Sequence, residues 1–281
     1  MDIIKAIGEN HRYTLHSHTE FCDGRAQMEA FARKAVEMQF DLYGFSPHSP
    51  VPIQSPCNML AGNVDRYLNE VKRIQQQYGQ HVTFLASMEI DYLGDEWGPA
   101  HHYFQEMPLD YRIGSVHFIP TRDGEMIDVD GNAERFKERL RSKFNNDLRY
   151  VVEKFYEQSI KMVNQGGFDI IGHFDKIGEN SSHISPETEF QPWYTSLVNE
   201  LIDNIISHKI IVEINTKIYS DKKRLFPNER YWDKLIKHNV PIIVNSDAHV
   251  PALINTSRDE TLALLKQHIQ QQPHLPPPPT P

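Results

Sequence analysis

The chain has 281 residues, of which 39% are hydrophobic, and its formal net charge is −9 at pH 7. This length suits one large α/β domain with a substantial core, and the acidic charge disfavours a general nucleic-acid surface. Every apolar run is shorter than the roughly 20 residues of a membrane helix. Cys22 and Cys57 are the only cysteines. We therefore expect a cytoplasmic protein with no disulfide, membrane anchor or secretory leader.

Strand-like and helix-like runs alternate along the chain. The strand-like runs are Tyr13 to Leu15, Leu42 to Ser46, Val82 to Ile90, Tyr111 to Phe118, Asp169 to His173, Ile210 to Ile214 and Pro241 to Asn245. The helical patterns are Ala26 to Met38, Val64 to Tyr78, Ala133 to Gln165, Gln191 to Ser207, Glu229 to His238 and Arg258 to Gln271. This alternation predicts parallel strands wrapped by helices, and seven strands favour a distorted (β/α)7 barrel of the TIM type.

The barrel is expected to span residues 1–269 as one domain. Residues 92–109, between two of the predicted strands, are expected to form a loop with at most a short helix. Residues 270–281 are rich in glutamine and proline. Such a segment cannot continue a helix, so we predict a disordered tail.

Two histidines stand two residues apart at the end of the first strand, at His16 and His18. Side chains alternate along a strand, so both point the same way and can share one metal ion. With 15 histidines in the chain, composition alone gives roughly 0.8 such pairs. The pair is therefore weak evidence by itself. Asp23 lies in the loop beyond the strand, where it can fold back over the same opening or form a plain turn.

Potential ligands recur at the carboxyl ends of the predicted strands, where barrel active sites are built. Taken singly, His48 or His117 is typical of a hydrogen-bonded histidine, Glu89 of a paired carboxylate and Asp247 of a cap. Their coincidence at corresponding strand ends instead predicts a metal site. Six of the seven strands contribute, with His16, His18, His48, Glu89, His117, His173, Asp247 and His249.

Other chemistry-bearing residues have less specific interpretations. Solvated or structural roles are expected for His101, His102, His183, His208, His238, His268 and His274.

These motifs together resemble the polymerase and histidinol phosphatase (PHP) superfamily, from about residue 11 to about residue 265. The segments around Gly114 to His117 and Glu213 to Thr216 are most similar to its stand-alone histidinol-phosphate phosphatases. The resemblance implies a distorted seven-stranded barrel with a trinuclear metal centre. We interpret the segment after Thr216, from Lys217 to Arg224, as a departure from the family pattern of a basic residue soon after this motif.

The resemblance also implies a ligand set for three divalent ions. Carboxylate and imidazole ligands suit Zn, Mn or Fe. Glu89, Asp247 and His249 are expected to be catalytic as well as ligating. The implied groups are His16, His18, Glu89 and Asp247 for the first ion; Glu89, His117 and His173 for the second; and Asp23, His48 and His249 for the third.

The implied activity is hydrolysis of L-histidinol phosphate to L-histidinol and phosphate, a step of histidine biosynthesis. Clustered divalent ions activate water and neutralise phosphoryl oxygens, so no protein nucleophile is required. Lys176 and Arg224 are candidates for binding the phosphate of the substrate or for ordinary solvated roles. A metal-bound water or Asp175 is the candidate proton donor to the leaving group. The expected partner is a small phosphorylated substrate, with no nucleic acid and no membrane. Two alternatives stay open, namely a hydrolase of another small phosphoester or nucleotide, and a non-catalytic metal-binding protein. A barrel amidohydrolase is disfavoured because the bridging position holds a glutamate.

Overall fold

The computed structural model describes residues 3–8 and 12–271. Its strands are β1 (Tyr13–Thr14), β2 (Leu42–Phe45), β3 (Thr83–Ala86), β4 (Glu89–Asp91), β5 (Ile113–Ser115), β6 (Phe118–Pro120), β7 (Met126–Asp128), β8 (Ile170–Ile171), β9 (Ile211–Asn215) and β10 (Ile242–Asn245). Its α-helices are α1 (Ile3–Gly8), α2 (Met28–Glu37), α3 (Val64–Tyr78), α4 (His102–Gln105), α5 (Ala133–Phe144), α6 (Leu148–Gln165), α7 (Ile177–Ile184), α8 (Pro192–His208), α9 (Tyr219–Lys222), α10 (Trp232–Lys237) and α11 (Arg258–Gln270).

The parallel strands form two sheets that meet at both ends. One sheet has the order β1-β2-β3 and the other the order β10-β9-β8-β5-β4. Single parallel bridges join them, from Ser17 to Ala248 and from His48 to Glu89. The strands therefore follow one another around a ring whose hydrogen-bond ladder is interrupted at two seams. The predicted α/β fold with parallel strands is confirmed, and the interrupted ladder is the distortion.

Two predicted strands are divided in the structure. The run Val82 to Ile90 becomes β3, which pairs with β2, and β4, which pairs with β5. The chain changes sheets at Ser87 and Met88. There the buried Tyr67 hydroxyl lies 2.6 Å from the Ser87 carbonyl oxygen, 3.1 Å from the Ser87 nitrogen and 2.9 Å from the Phe45 carbonyl oxygen. This hydroxyl thus joins the end of β2 to the segment where the chain passes from β3 to β4.

Similar local breaks divide the other long runs. The run Tyr111 to Phe118 divides into β5 and β6, and β6 forms an antiparallel hairpin with β7 that the sequence analysis did not predict. The long predicted helix divides into α5 and α6 at Asn145 and Asn146, whose φ angles of 52° and 59° are left-handed. Asp147 then caps α6 by accepting a hydrogen bond from the Tyr150 nitrogen at 3.0 Å. Asparagine tolerates this conformation better than most residues, which explains the break.

The interior of the ring is filled by apolar side chains from six strands or their ends. These buried residues include Leu15, Leu42, Leu85, Ile113, Ile170 and Ile243. Larger clusters pack helices α2 and α3 on one sheet and α5, α6 and α8 on the other. Because the interior is packed rather than open, the ligand-bearing strand ends meet above a solid floor.

The remaining expectations concern the chain ends and the membrane. Helix α11 runs through Gln270, one residue past the expected end of the barrel domain. Residues 272–281 of the expected disordered tail, with His274, lie outside the described residues, so that prediction stays untested. Between residues 3 and 271, leaving aside 9–11, no helix combines the length and hydropathy that a bilayer crossing requires.

Candidate metal centre

Nine side chains predicted as ligands converge at one rim of the ring, where eight of them lie beyond strand ends and Glu89 lies at the switch from β3 to β4. His16 and His18 follow β1, His48 follows β2, Glu89 begins β4, His117 follows β5, His173 follows β8, Asp247 and His249 follow β10, and Asp23 lies in the loop after β1. His16 Nε2 lies 3.9 Å from Asp247 Oδ1, although the two residues are 231 positions apart. The structure therefore brings all nine residues into one cluster, as the strand-end placement requires.

Glu89 lies at the centre of this cluster and is almost fully buried. Its two carboxylate oxygens face different imidazoles, which places it between separate groups of potential ligands. Oε2 lies 3.2 Å from His16 Nε2, 3.4 Å from His18 Nε2 and 3.1 Å from His48 Nδ1, while Oε1 lies 2.8 Å from His173 Nε2 and 3.5 Å from His117 Nε2.

Two other carboxylates complete the cluster. Asp247 Oδ1 lies 3.1 Å from His18 Nε2, and Asp23 Oδ1 lies 3.3 Å from His249 Nε2 and 3.9 Å from His48 Nε2. The ligand atoms form four overlapping groups, each with all atoms within 4.8 Å of one another. The groups are His18, Asp23, His48 and His249; His16, His173 and Asp247; His16, His18 and Glu89; and His48, Glu89 and His117.

The residues present fit divalent cations. Five buried potential ligand atoms have no hydrogen-bond partner, and an unsatisfied buried polar atom costs about 1–3 kcal/mol. Imidazole and carboxylate are the donors that Zn, Mn and Fe accept. A cation bound among them would satisfy atoms to which no residue of the described ranges offers a hydrogen bond. The five atoms are His16 Nε2, His18 Nε2, His48 Nδ1, His117 Nε2 and Asp23 Oδ1.

The electrostatics of the cluster favour anionic carboxylates. Burial alone would raise the pKa of Glu89, but His16, His48 and His117 outweigh it and hold that pKa well below its ordinary value. Burial alone would also raise the pKa of Asp247, but Lys217 and His16 outweigh it and hold that pKa well below its ordinary value. Both side chains are therefore ionised at neutral pH and available as anionic ligands.

Carboxylates behind the ligands orient two of the imidazoles. Glu213 Oε1 lies 2.7 Å from His16 Nδ1, and Asp91 Oδ1 lies 2.6 Å from His117 Nδ1. Such partners fix the tautomer of a ligating histidine, so that its other nitrogen faces the ion. Neither residue was predicted from the sequence to have a role at the site. Asp91 stands two positions after Glu89 in the same strand, and this period of two was the signal that could have found it.

The backbone is also unusual at two of the ligands. His173 has a φ of +24° and Asp247 a φ of +48°, both in the left-handed region. Residues other than glycine rarely adopt this region, and such strain concentrates at functional sites. The turn at each strand end therefore aims a ligating side chain at a cost in backbone energy.

A cavity of about 420 Å³ opens above the cluster. Asp23, His48, His117, Asp247 and His249 line it on the side of the potential ligands. The rest of its polar wall has both signs of charge. Asp128 and Asp130 come from the hairpin and the turn after it, and the basic residues are Arg25, Arg135 and Lys217.

Lys217 places its charged group beside two of the potential ligands. Its Nζ lies 3.3 Å from Asp247 Oδ2 and 3.4 Å from His249 Nε2, and its side chain is 33% exposed. It directly follows Thr216, so a basic residue does stand at the start of the segment that the sequence analysis interpreted as a departure. That position was the signal that the analysis overlooked.

The two predicted phosphate-binding residues lie elsewhere. Lys176 Nζ lies 2.5 Å from Asp130 Oδ2, and Arg224 Nη1 donates to Glu189 Oε1 at 2.6 Å. In the described part of the chain, neither residue lines the cavity. The ion pair joins Lys176 to Asp130, a residue of the cavity wall. A substrate contact for either stays a prediction.

Asp175, the candidate proton donor, is also absent from the described lining of the cavity. Its Oδ2 accepts a hydrogen bond from the Asn228 nitrogen at 2.8 Å, and burial raises the pKa of this carboxyl to about 7. The Asp175 side chain therefore lies outside the described wall that a substrate would contact. Its role as a proton donor stays a prediction.

Comparison with known families shows to which family the chain belongs. Residues 14–217 match the PHP domain. The chain belongs to the PHP domain family. The matched span of this PHP domain protein includes seven of the nine potential ligands. Asp247 and His249 lie beyond it, and β10 brings them into the cluster.

Relatives of this PHP domain protein include one from Schizosaccharomyces pombe named "Probable histidinol-phosphatase". It is 25% identical over 254 residues, which cover 84% of this chain and 80% of that protein. A Listeria monocytogenes structure described as a "putative histidinol phosphatase" has a TM-score of 0.75 and 17% identity, over 89% of this chain and 99% of its own. The histidinol phosphate phosphatase of Lactococcus lactis, complexed with Zn, L-histidinol and phosphate, has a TM-score of 0.68 and 18% identity, over 92% and 93%. The two structural similarities establish the fold.

Proposed function

We propose that this PHP domain protein is a metal-dependent phosphomonoesterase that hydrolyses L-histidinol phosphate to L-histidinol and inorganic phosphate. The observation that carries the proposal is the cluster of nine histidine and carboxylate side chains beneath a cavity that also contains a lysine. The name of the Schizosaccharomyces pombe relative and the ligands of the Lactococcus lactis structure support the choice of substrate.

We assign three divalent ions, Zn, Mn or Fe, to the three ligand groups expected from the sequence. The observed group of His16, His18 and Glu89 supports the first assignment. The observed group that contains Asp23, His48 and His249 supports the third, with His18 as an additional neighbour. Bound divalent ions supply an activated water and neutralise the charge of the phosphoryl oxygens.

The residues of the chain contribute binding and orientation. Glu89 lies between two sets of imidazoles and contacts one set through each carboxylate oxygen, His16 through Oε2 and His173 through Oε1. Lys217, beside Asp247 and His249, is positioned to pair with a phosphate oxygen that enters the cavity. An ammonium group of this kind stabilises the negative charge that develops during phosphoryl transfer. We therefore add Lys217 to the catalytic residues expected from the sequence.

The size and charge of the cavity favour a small substrate. A volume of about 420 Å³ is in the range of about 300–1,000 Å³ typical of small-molecule sites. Asp128 and Asp130 on the wall disfavour an extended polyanion, and Lys217 lies close enough to the potential ligands to pair with a single phosphate. We propose a small phosphorylated metabolite as the partner and the cytoplasm as the location, which the two free thiols fit.

Steady-state kinetics of the metal-loaded protein test this function. The substrates are L-histidinol phosphate, a nucleoside monophosphate, a sugar phosphate and a phosphodiester, with phosphate release as the readout. We expect the highest kcat/KM for L-histidinol phosphate and the loss of activity after chelation. A higher kcat/KM for another monoester would reassign the substrate, and no hydrolysis by the metal-loaded protein would refute the enzymatic function.

A further inference from the structure

Glu213 lies beneath the candidate metal centre, on β9, and is fully buried. It belongs to none of the four observed ligand groups. Its two oxygens nevertheless contact four groups at the ends of four strands. Oε1 lies 2.7 Å from His16 Nδ1 and 2.9 Å from Asn245 Nδ2, and Oε2 lies 3.2 Å from both the His173 nitrogen and Asn215 Nδ2.

Three of these four partners are donors by necessity. The His173 group is a backbone N–H. The amide of Asn245 is oriented by the Leu15 nitrogen, which donates to Asn245 Oδ1 at 2.8 Å, so its NH₂ group must face Glu213. The amide of Asn215 is oriented in the same way by the Lys217 nitrogen, at 3.0 Å. An ionised carboxylate accepts hydrogen bonds without donating any, so Glu213 matches all three.

The fourth partner, His16 Nδ1, must then be a donor as well. A carboxylate that only accepts requires His16 Nδ1 to carry a proton, so His16 Nε2 is the ring nitrogen that remains to bind an ion in the cluster. Glu213 also accepts from the peptide nitrogen of His173, whose φ of +24° lies in the left-handed region. One buried carboxylate thus orients two potential ligands that come from opposite sides of the ring.

We infer that Glu213 is a shared positioning residue, which sets the tautomer of His16 and the backbone of His173 and so couples the geometry of two metal positions. The inference rests on the metal centre proposed above. Asn215 extends the coupling, because the same NH₂ group also donates to Asp247 Oδ2 at 3.1 Å. By comparison, Asp91 orients His117 alone among the potential ligands.

The substitution Glu213→Gln tests this inference, because it keeps the size of the side chain and changes its hydrogen bonding. A glutamine has one accepting oxygen and one donating nitrogen. In either orientation, two of the four donors face another donor. Loss of a partner behind a ligand typically weakens metal binding 10- to 100-fold. We expect Zn²⁺ affinity to fall by about that range in the folded variant.

The matched control is Glu189→Gln. Glu189 is also a buried carboxylate, but it pairs with Arg224 and Arg230 and contacts no potential ligand. Its substitution should lower the melting temperature and leave Zn²⁺ affinity within about twofold of wild type. The full-length proteins are stripped with a chelator and titrated with Zn²⁺ against a competing chromophoric chelator, while circular dichroism records folding.

A second readout is independent of affinity. Proteins with ¹⁵N-labelled histidine should show a strongly deshielded Nδ1 proton for His16, assigned by its absence in His16→Ala. This signal should be lost in Glu213→Gln and kept in Glu189→Gln. If Glu213→Gln does not fold, Asn245→Ala, which removes one donor and leaves the carboxylate in place, should shift the His16 signal and cause a smaller loss of affinity.

The outcomes separate this inference from the proposed function. Unchanged Zn²⁺ affinity in folded Glu213→Gln, or an equal loss in both glutamine variants, overturns the positioning role. If Glu213→Gln does not fold, an unchanged His16 signal and an unchanged affinity in Asn245→Ala overturn it as well. Failure of the wild type to bind Zn²⁺ overturns the metal centre itself. If the affinity and the His16 signal change as expected while L-histidinol phosphate is not hydrolysed, the positioning role stands and only the substrate is wrong.

Discussion

Replacing Lys217 by alanine should separate catalysis from metal binding. The Lys217 ammonium lies 3.3 Å from Asp247 Oδ2 and lines the cavity, but it is not a metal ligand. If it pairs with a phosphate oxygen, its removal costs a charged hydrogen bond of about 1.5–3 kcal/mol. Because the side chain is 33% exposed, solvent screening favours the lower half of that range. With tenfold for each 1.4 kcal/mol, we expect kcat/KM to fall about 10- to 50-fold.

The effect on metal binding should have the opposite sign. An ammonium beside Asp247 and His249 repels divalent cations, so Lys217→Ala should bind Zn²⁺ at least as tightly as wild type. Phosphate-release kinetics and chelator-competition titration measure the two quantities on the same preparation. Lys222→Ala is the control, because Lys222 pairs with Glu179 and lies outside the described lining of the cavity. An unchanged kcat/KM, or a loss of Zn²⁺ affinity in Lys217→Ala, would refute the reasoning.

Three further predictions concern the ligands and the fold. Glu89→Gln should reduce metal content and activity far more than His183→Gln, because a neutral amide cannot replace a bridging carboxylate; equal metal content by elemental analysis would contradict the bridge. Asp23→Asn and His249→Ala should each weaken the same ion, and titrations that reveal losses at different sites would contradict the third ligand group. Tyr67→Phe should lower the free energy of unfolding by about 1–3 kcal/mol, which for a protein of this size lowers the melting temperature by roughly 2–4 °C per kcal/mol; an unchanged transition would mean that the hydroxyl does not support the strand switch.

The potential ligands were predictable because their pattern depends on short-range rules. Side chains alternate along strands, and parallel strands present their carboxyl ends at one rim, so His16, Glu89 and Asp247 could be grouped before their distances were known. The grouping needed no knowledge of helix packing. The convergence of these residues in the structure follows from the same two rules.

The missed features depend on contacts between segments far apart in the chain. Glu213 stands between Val212 and Ile214 in β9, and nothing local shows that four donors surround it. Tyr67 has the helical spacing of a core residue, so its contacts at the strand switch were not visible. The break at Asn145 was missed because apolar spacing continues across it and conceals a change in backbone conformation.

The two seams of the barrel have a consequence for stability. His16, His18 and His48 follow strands of one sheet, whereas Glu89, His173 and Asp247 belong to strands of the other or follow them. Few backbone hydrogen bonds cross between the sheets, so ions held by ligands from both would act as cross-links where the ladder is interrupted. Neither sheet alone carries a complete ligand group for the first ion. Release of metal and separation of the two halves should therefore be a single cooperative event, in which the cofactor serves as part of the architecture.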